Sequence, residues 1–171
     1  IGFAFQGVVH SHIRDCQAFR SVPGSNLGAS FWGFHFDGTK DIGLAGGNAS
    51  IFVQDCNASV GGNPRLQESI GALLQGGYAD TFLDRFESSG TVDGLRVDGM
   101  TGLVDKRLSK AGHANLHINA PVLDGFSGTG MEVRNTSDYA VIDIVDPYFG
   151  AANGAVAALS VRNGKGMTSV T

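Results

Sequence analysis

Charge, cysteine and long apolar runs are all scarce in this chain, and each scarcity removes a class of protein. Only 16% of its 171 residues are charged, and 12 Lys and Arg against 16 Asp and Glu leave a formal net charge of −4. That balance argues against nucleic acid or an anionic membrane surface as partner. No apolar run approaches the ~20 residues that span a bilayer, and no signal peptide is visible. Two cysteines, Cys16 and Cys56, are too few for a disulfide framework. No Walker loop, nucleophile elbow or paired CxxC is present, so no cofactor is expected. His10 with His12, and His113 with His117, lack the Cys or carboxylate companions of a zinc site, and no metal is expected. No segment sustains a helical period.

What the chain does have is glycine, 26 in all, and hydrophobic residues at 42%, enough for a sizeable core and against disorder. The glycines punctuate a recurring six-residue phrase: small, apolar, any, apolar, polar, then Gly or Asn. It reads Gly2-Phe3-Ala4-Phe5-Gln6-Gly7, Gly33-Phe34-His35-Phe36-Asp37-Gly38 and Gly71-Ala72-Leu73-Leu74-Gln75-Gly76. It returns as Gly94-Leu95-Arg96-Val97-Asp98-Gly99, Gly130-Met131-Glu132-Val133-Arg134-Asn135 and Ala158-Leu159-Ser160-Val161-Arg162-Asn163. Alternation of this kind describes a half-buried strand, and six such strands at intervals of 23 to 38 residues describe a solenoid.

A second phrase follows in register. It begins at Ile13-Arg14-Asp15-Cys16 and Val53-Gln54-Asp55-Cys56, and continues at Leu83-Asp84-Arg85-Phe86, Ile118-Asn119-Ala120-Pro121 and Ile144-Val145-Asp146-Pro147. Asp tolerates the left-handed conformation, so Asp15, Asp55 and Asp146 mark a sharp corner between two strands. Cys16 and Cys56 share one place in this phrase and read as small apolar residues stacked in adjacent coils. A disulfide between those coils is compatible with an oxidising compartment but is not required.

At least two strands per coil with glycine corners predict a parallel β-helix. The short spacing from Gly71 to Gly94 leaves no room for a four-stranded propeller blade, and the Leu-x-x-Leu-x-Leu frame is missing. The two phrases resemble the strand–corner–strand step of the right-handed parallel β-helices of the pectin-lyase-like superfamily. The expected fold is therefore all-β: a right-handed parallel β-helix solenoid of about six coils over residues 1–171. No capping unit is visible at either end, so an uncapped segment of a longer chain is expected. Longer coils carry insertions at Lys40 to Ser50 and Thr101 to Asn115, the latter with Lys106, Arg107 and Lys110; these read as a cleft wall or a solvated loop.

Stacking the phrases predicts two outward columns. One runs Ala4, His35, Leu73, Arg96, Glu132, Ser160; the other runs Gln6, Asp37, Gln75, Asp98, Arg134, Arg162. A long polar surface of this kind suits a polysaccharide. Asp37 and Asp98, two rungs and ~9–10 Å apart, approach the separation of an inverting glycosidase pair. Arg96, His35, Glu132 and Arg134 would hold substrate, with Trp32 as a stacking or trimer contact beside Phe31 and Leu73. Equally, such charges form cross-strand ion pairs. A second acidic group is Asp80, Asp84 and Glu87; Asp84 and Glu87 flank the corner as a second candidate catalytic pair, near Tyr78, whose ring is a candidate for sugar stacking. Arg85 above Asp55 reads as an ion pair between coils.

Signatures of related enzymes narrow this only by absence. The Asn-Thr-Asp and Gly-His-Gly of polygalacturonases are missing, as is the Pro-His-Glu of alginate epimerases. The resemblance is therefore to phage tailspikes and secreted depolymerases. It implies a glycan-cleaving, extracellular or virion-borne, trimeric protein; a non-catalytic fibre module and an epimerase or lyase are the alternatives.

Overall fold

The structure, a computed structural model, describes residues 1–21, 30–39, 45–46, 48–61, 68–102, 104–105, 110–111 and 114–171. Each coil contributes one strand to each of three parallel faces, except the sixth, which contributes two. The first face holds Phe3–Gln6, Phe31–Gly38, Ser69–Ala79, Asp93–Gly102, Thr129–Arg134 and Ala157–Arg162. The second holds Val9–Arg14, Asn48–Gln54, Thr81–Asp84, Ala114–Asn119, Ala140–Val145 and Met167–Val170. The third holds Gln17–Ser21, Asn57–Gly61, Glu87–Ser89, Val122–Phe126 and Tyr148–Ala151. No helix occurs among the described residues, and the chain is a parallel β-helix of six coils.

Both expected registers are present. Phe3 pairs with Phe34, Phe34 with Ala72, Leu95 with Met131 and Met131 with Leu159, so the phrases lie directly over one another. Their apolar positions point inward, where Phe34, Leu74, Leu95, Val97, Met131 and Val133 are buried. Full burial of such a side chain contributes about 1.5–3 kcal/mol, and the four inner coils repeat it, while Phe3, Phe5 and Leu159 in the end coils are partly buried. In-register stacking also aligns rings: Phe3 lies on Phe34 at 5.0 Å, and Phe5 on Phe36 at 4.8 Å.

The corner between the second and third faces follows the second phrase. Asp15, Asp55, Arg85, Ala120 and Asp146 all have left-handed backbones, with φ between 45° and 53°. Ladder hydrogen bonds continue through the bend, from Asp15 N to Gln54 O, Asp55 N to Asp84 O and Arg85 N to Asn119 O. The two insertions meet as well. Ala45–Gly46 from one and Val104–Asp105 and Lys110–Ala111 from the other form a small antiparallel sheet beside the coils. The rest of the basic stretch, Lys106 and Arg107 included, lies outside the described residues, as does His113.

Candidate functional site

The first face brings the expected residues into the expected columns. His35 pairs with Leu73, Leu73 with Arg96 and Arg96 with Glu132; Asp37 pairs with Gln75, Gln75 with Asp98 and Asp98 with Arg134. The columns are far less open than alternation implies. Asp37 is 7% exposed. Its carboxylate accepts hydrogen bonds from Gln6 Nε2 at 2.9 Å, from the Thr39 amide at 2.9 Å and from the Thr39 hydroxyl. Burial pushes its pKa up, but these donors outweigh it and hold the carboxyl below its ordinary range. Asp98 accepts from Arg134 Nη2 at 2.7 Å and Asn135 Nδ2 at 2.9 Å, and chiefly the Arg134 bond holds its pKa low too.

Around them runs a connected ion network. Glu132, only 2% exposed, meets Arg96 Nε at 3.1 Å, Arg134 Nη1 at 3.4 Å and Arg162. Arg96 also reaches Glu68 at 3.2 Å and Asp93. Glu132 therefore does not stand ready for substrate, because three guanidiniums occupy its oxygens. His35 Nε2 lies 3.0 Å from Gln75 Oε1, and its ring meets the half-buried Trp32 edge-on at 5.1 Å.

Three outward readings are corrected by burial. Leu73 and Phe31 are 4% and 5% exposed and offer no trimer contact or sugar platform. Tyr78 is fully buried, its hydroxyl donating to Phe36 O and accepting from the Gln75 amide. Tyr78 lies on the unbroken strand Ser69–Ala79, past the left-handed Gly76, φ 84°, and an even number of residues from the buried Ala72 and Leu74.

At the corner between the second and third faces, Arg85 clamps Asp55 through Nε at 2.7 Å and Nη2 at 2.9 Å, and meets Asp84 at 2.6 Å. The inter-coil ion pair expected from the sequence is present. Asp84 also accepts from Asn119 Nδ2 at 2.7 Å. Glu87 opens the third face, so the corner separates it from Asp84.

The second face holds a feature that the sequence reading passed over. His12, Phe52, Phe82 and His117 stack outside the prism, with centroids 4.8, 4.9 and 4.9 Å apart and ring planes within 15° of parallel. Stacked at this separation, the inner rings cover one another's faces and leave their outer edges open. Phe52 remains 38% exposed. An open groove of about 250 Å³ runs along this ladder, lined by His12, Arg14, Phe52, Gln54, Phe82 and Asp84 among others. Beyond it, His117 Nδ1 lies 3.3 Å from Asp143, which accepts a hydrogen bond from Ser169. The signal was in the second phrase, one residue before its aligned start, where His12, Phe52, Phe82, His117 and Asp143 precede the inward aliphatics.

Among the described residues, no group of three His, Cys, Asp or Glu side chains converges as a metal site. Comparison with protein-family models, with curated proteins and with solved structures finds no match.

Proposed function

We propose that this β-helix binds an extended polysaccharide along its second face, with the aromatic ladder as the platform. The observation that carries the reading is the exposed stack of Phe52 and Phe82 between His12 and His117, bordered by Arg14, Gln54, Asp84 and Asn119. The open edges of the stacked rings offer apolar contact to sugar C–H groups, and the polar column beside them supplies hydrogen-bond donors and acceptors. A groove continuous over three coils, with the stacked His117 ring of a fourth beyond it, matches a polymer better than a compact ligand.

Binding without hydrolysis by Asp37 and Asp98 is the form of this reading that the electrostatics favour. An inverting pair needs one carboxyl still protonated near neutrality, hence a raised pKa. Donors around Asp37 and Asp98 act in the opposite direction. The setting that fits is a glycan-recognising segment of a tailspike or secreted depolymerase, outside the cell or on a virion.

Affinity electrophoresis through gels containing dextran, mixed-linkage β-glucan, alginate or polygalacturonate tests the proposal. Retardation in at least one gel, without shortening of the polymer, is the expected result. Unretarded migration in all four would remove the reading, and polymer shortening abolished by Asp37→Asn or Asp98→Asn would restore the hydrolase.

A further inference from the structure

Cys16 and Cys56 lie outside the glycan face and have no part in the reading above. They are the first residues after the left-handed Asp15 and Asp55, in adjacent coils. The backbone locks them opposite each other. The Asp15 amide donates to Gln54 O at 3.2 Å, the Asn57 amide donates to Cys16 O at 2.9 Å, and Gln17 pairs with Asn57. Neighbouring strands are ~4.8 Å apart, inside the ~4.4–6.8 Å between Cα atoms that a disulfide spans.

The thiols are also aimed compatibly. The same column is buried in later coils, at Phe86 and Pro121. Cys56 is 1% exposed, and its Sγ lies 3.3 Å from Gln54 O and 3.7 Å from Ile13 O. That second carbonyl belongs to the coil that carries Cys16. Cys16 is half-exposed, with its Sγ 3.2 Å from Arg14 O. Both cysteines are free.

We infer that Cys16 and Cys56 form a cross-coil disulfide site, closed by exchange with a low-molecular-weight disulfide such as oxidised glutathione. The half-exposed Cys16 thiolate attacks the glutathione disulfide, forming a mixed disulfide and releasing one glutathione thiolate. The Cys56 thiolate then displaces the second glutathione. Two thiol protons and two electrons leave the protein, one S–S bond forms in it, and one glutathione disulfide becomes two glutathione thiols. Burial raises the Cys56 thiol pKa, with the Cys16 thiol adding to the effect, so the second step quickens as pH rises.

The test is incubation of the folded, reduced protein with a graded glutathione redox buffer, then iodoacetamide alkylation under denaturing conditions and intact-mass measurement. The expected product is a monomer about 2 Da lighter that takes up no alkyl group. Closure is expected at a roughly 100-fold lower ratio of oxidised to reduced glutathione in the folded protein than in urea. Cys16→Ser is expected to leave one alkylatable thiol and no such product. Two alkyl groups at every ratio, a persistent glutathione adduct on Cys16, disulfide-linked dimers, or equal closure in urea would each overturn the inference.

Discussion

Glu132 is the residue on which the first face depends most. Its carboxylate is nearly inaccessible and meets Arg96, Arg134 and Arg162. Removing one partner of a buried ionic group leaves the others desolvated and uncompensated, at a cost of about 3–5 kcal/mol. Arg162 is 63% exposed and Arg134 32%, and water can recover part of that loss. Glu132→Gln is therefore expected to lower unfolding stability by about 3 kcal/mol, measured by urea titration. Asp37 and Asp98 set the acid limit. Their folded pKa values are depressed, so their contribution is complete above the ordinary carboxylate range, about pH 4. It is lost as pH falls through the depressed folded values. Asp98→Asn is expected to flatten the loss of stability below about pH 4 and leave its pH dependence near neutrality unchanged.

At the scale of the element, the small residue that opens each first phrase has a steric reason. A Cβ built on Gly71 would lie 2.2 Å from Ser88 Oγ and 2.4 Å from Gly94 O. Gly33, Gly94 and Gly130 each approach the carbonyl of the next coil in the same way. The strands of the first face thus start where the third face passes too close for a side chain. Gly71→Ala is expected to cost about 1–3 kcal/mol by urea titration, from overpacking rather than backbone conformation, because no positive φ is involved. The phrase's last position has the other cause: Gly76, Gly99, Asn135 and Asn163 are left-handed. Both constraints were legible as glycine and asparagine punctuation. Tyr78 was legible in the same way, since alternation from Ala72 and Leu74 carried past Gly76 returns to the inward side at Tyr78; what hid it is that the phrase ends at the glycine while the strand runs on to Ala79.

For the whole molecule, in-register stacking made most of the architecture readable. A residue's neighbours above and below are its counterparts in the phrase, so columns written from the sequence became columns in space. What alternation could not supply was exposure. Long Arg side chains fold over Glu132, and Leu73 is covered despite standing on the outward side. The candidate site moved for a related reason. Charged residues on the first face drew attention and proved to satisfy one another, while the aromatic column sat one position before the second phrase. The most direct measurement compares two double variants with the parent by affinity electrophoresis in whichever polysaccharide retards it. Phe52→Ala with Phe82→Ala, its strand content checked by circular dichroism, is expected to weaken binding at least about tenfold. Asp37→Asn with Asp98→Asn is expected to bind as the parent does. Full retention of binding by the folded phenylalanine variant, with loss in the aspartate variant, would contradict the account.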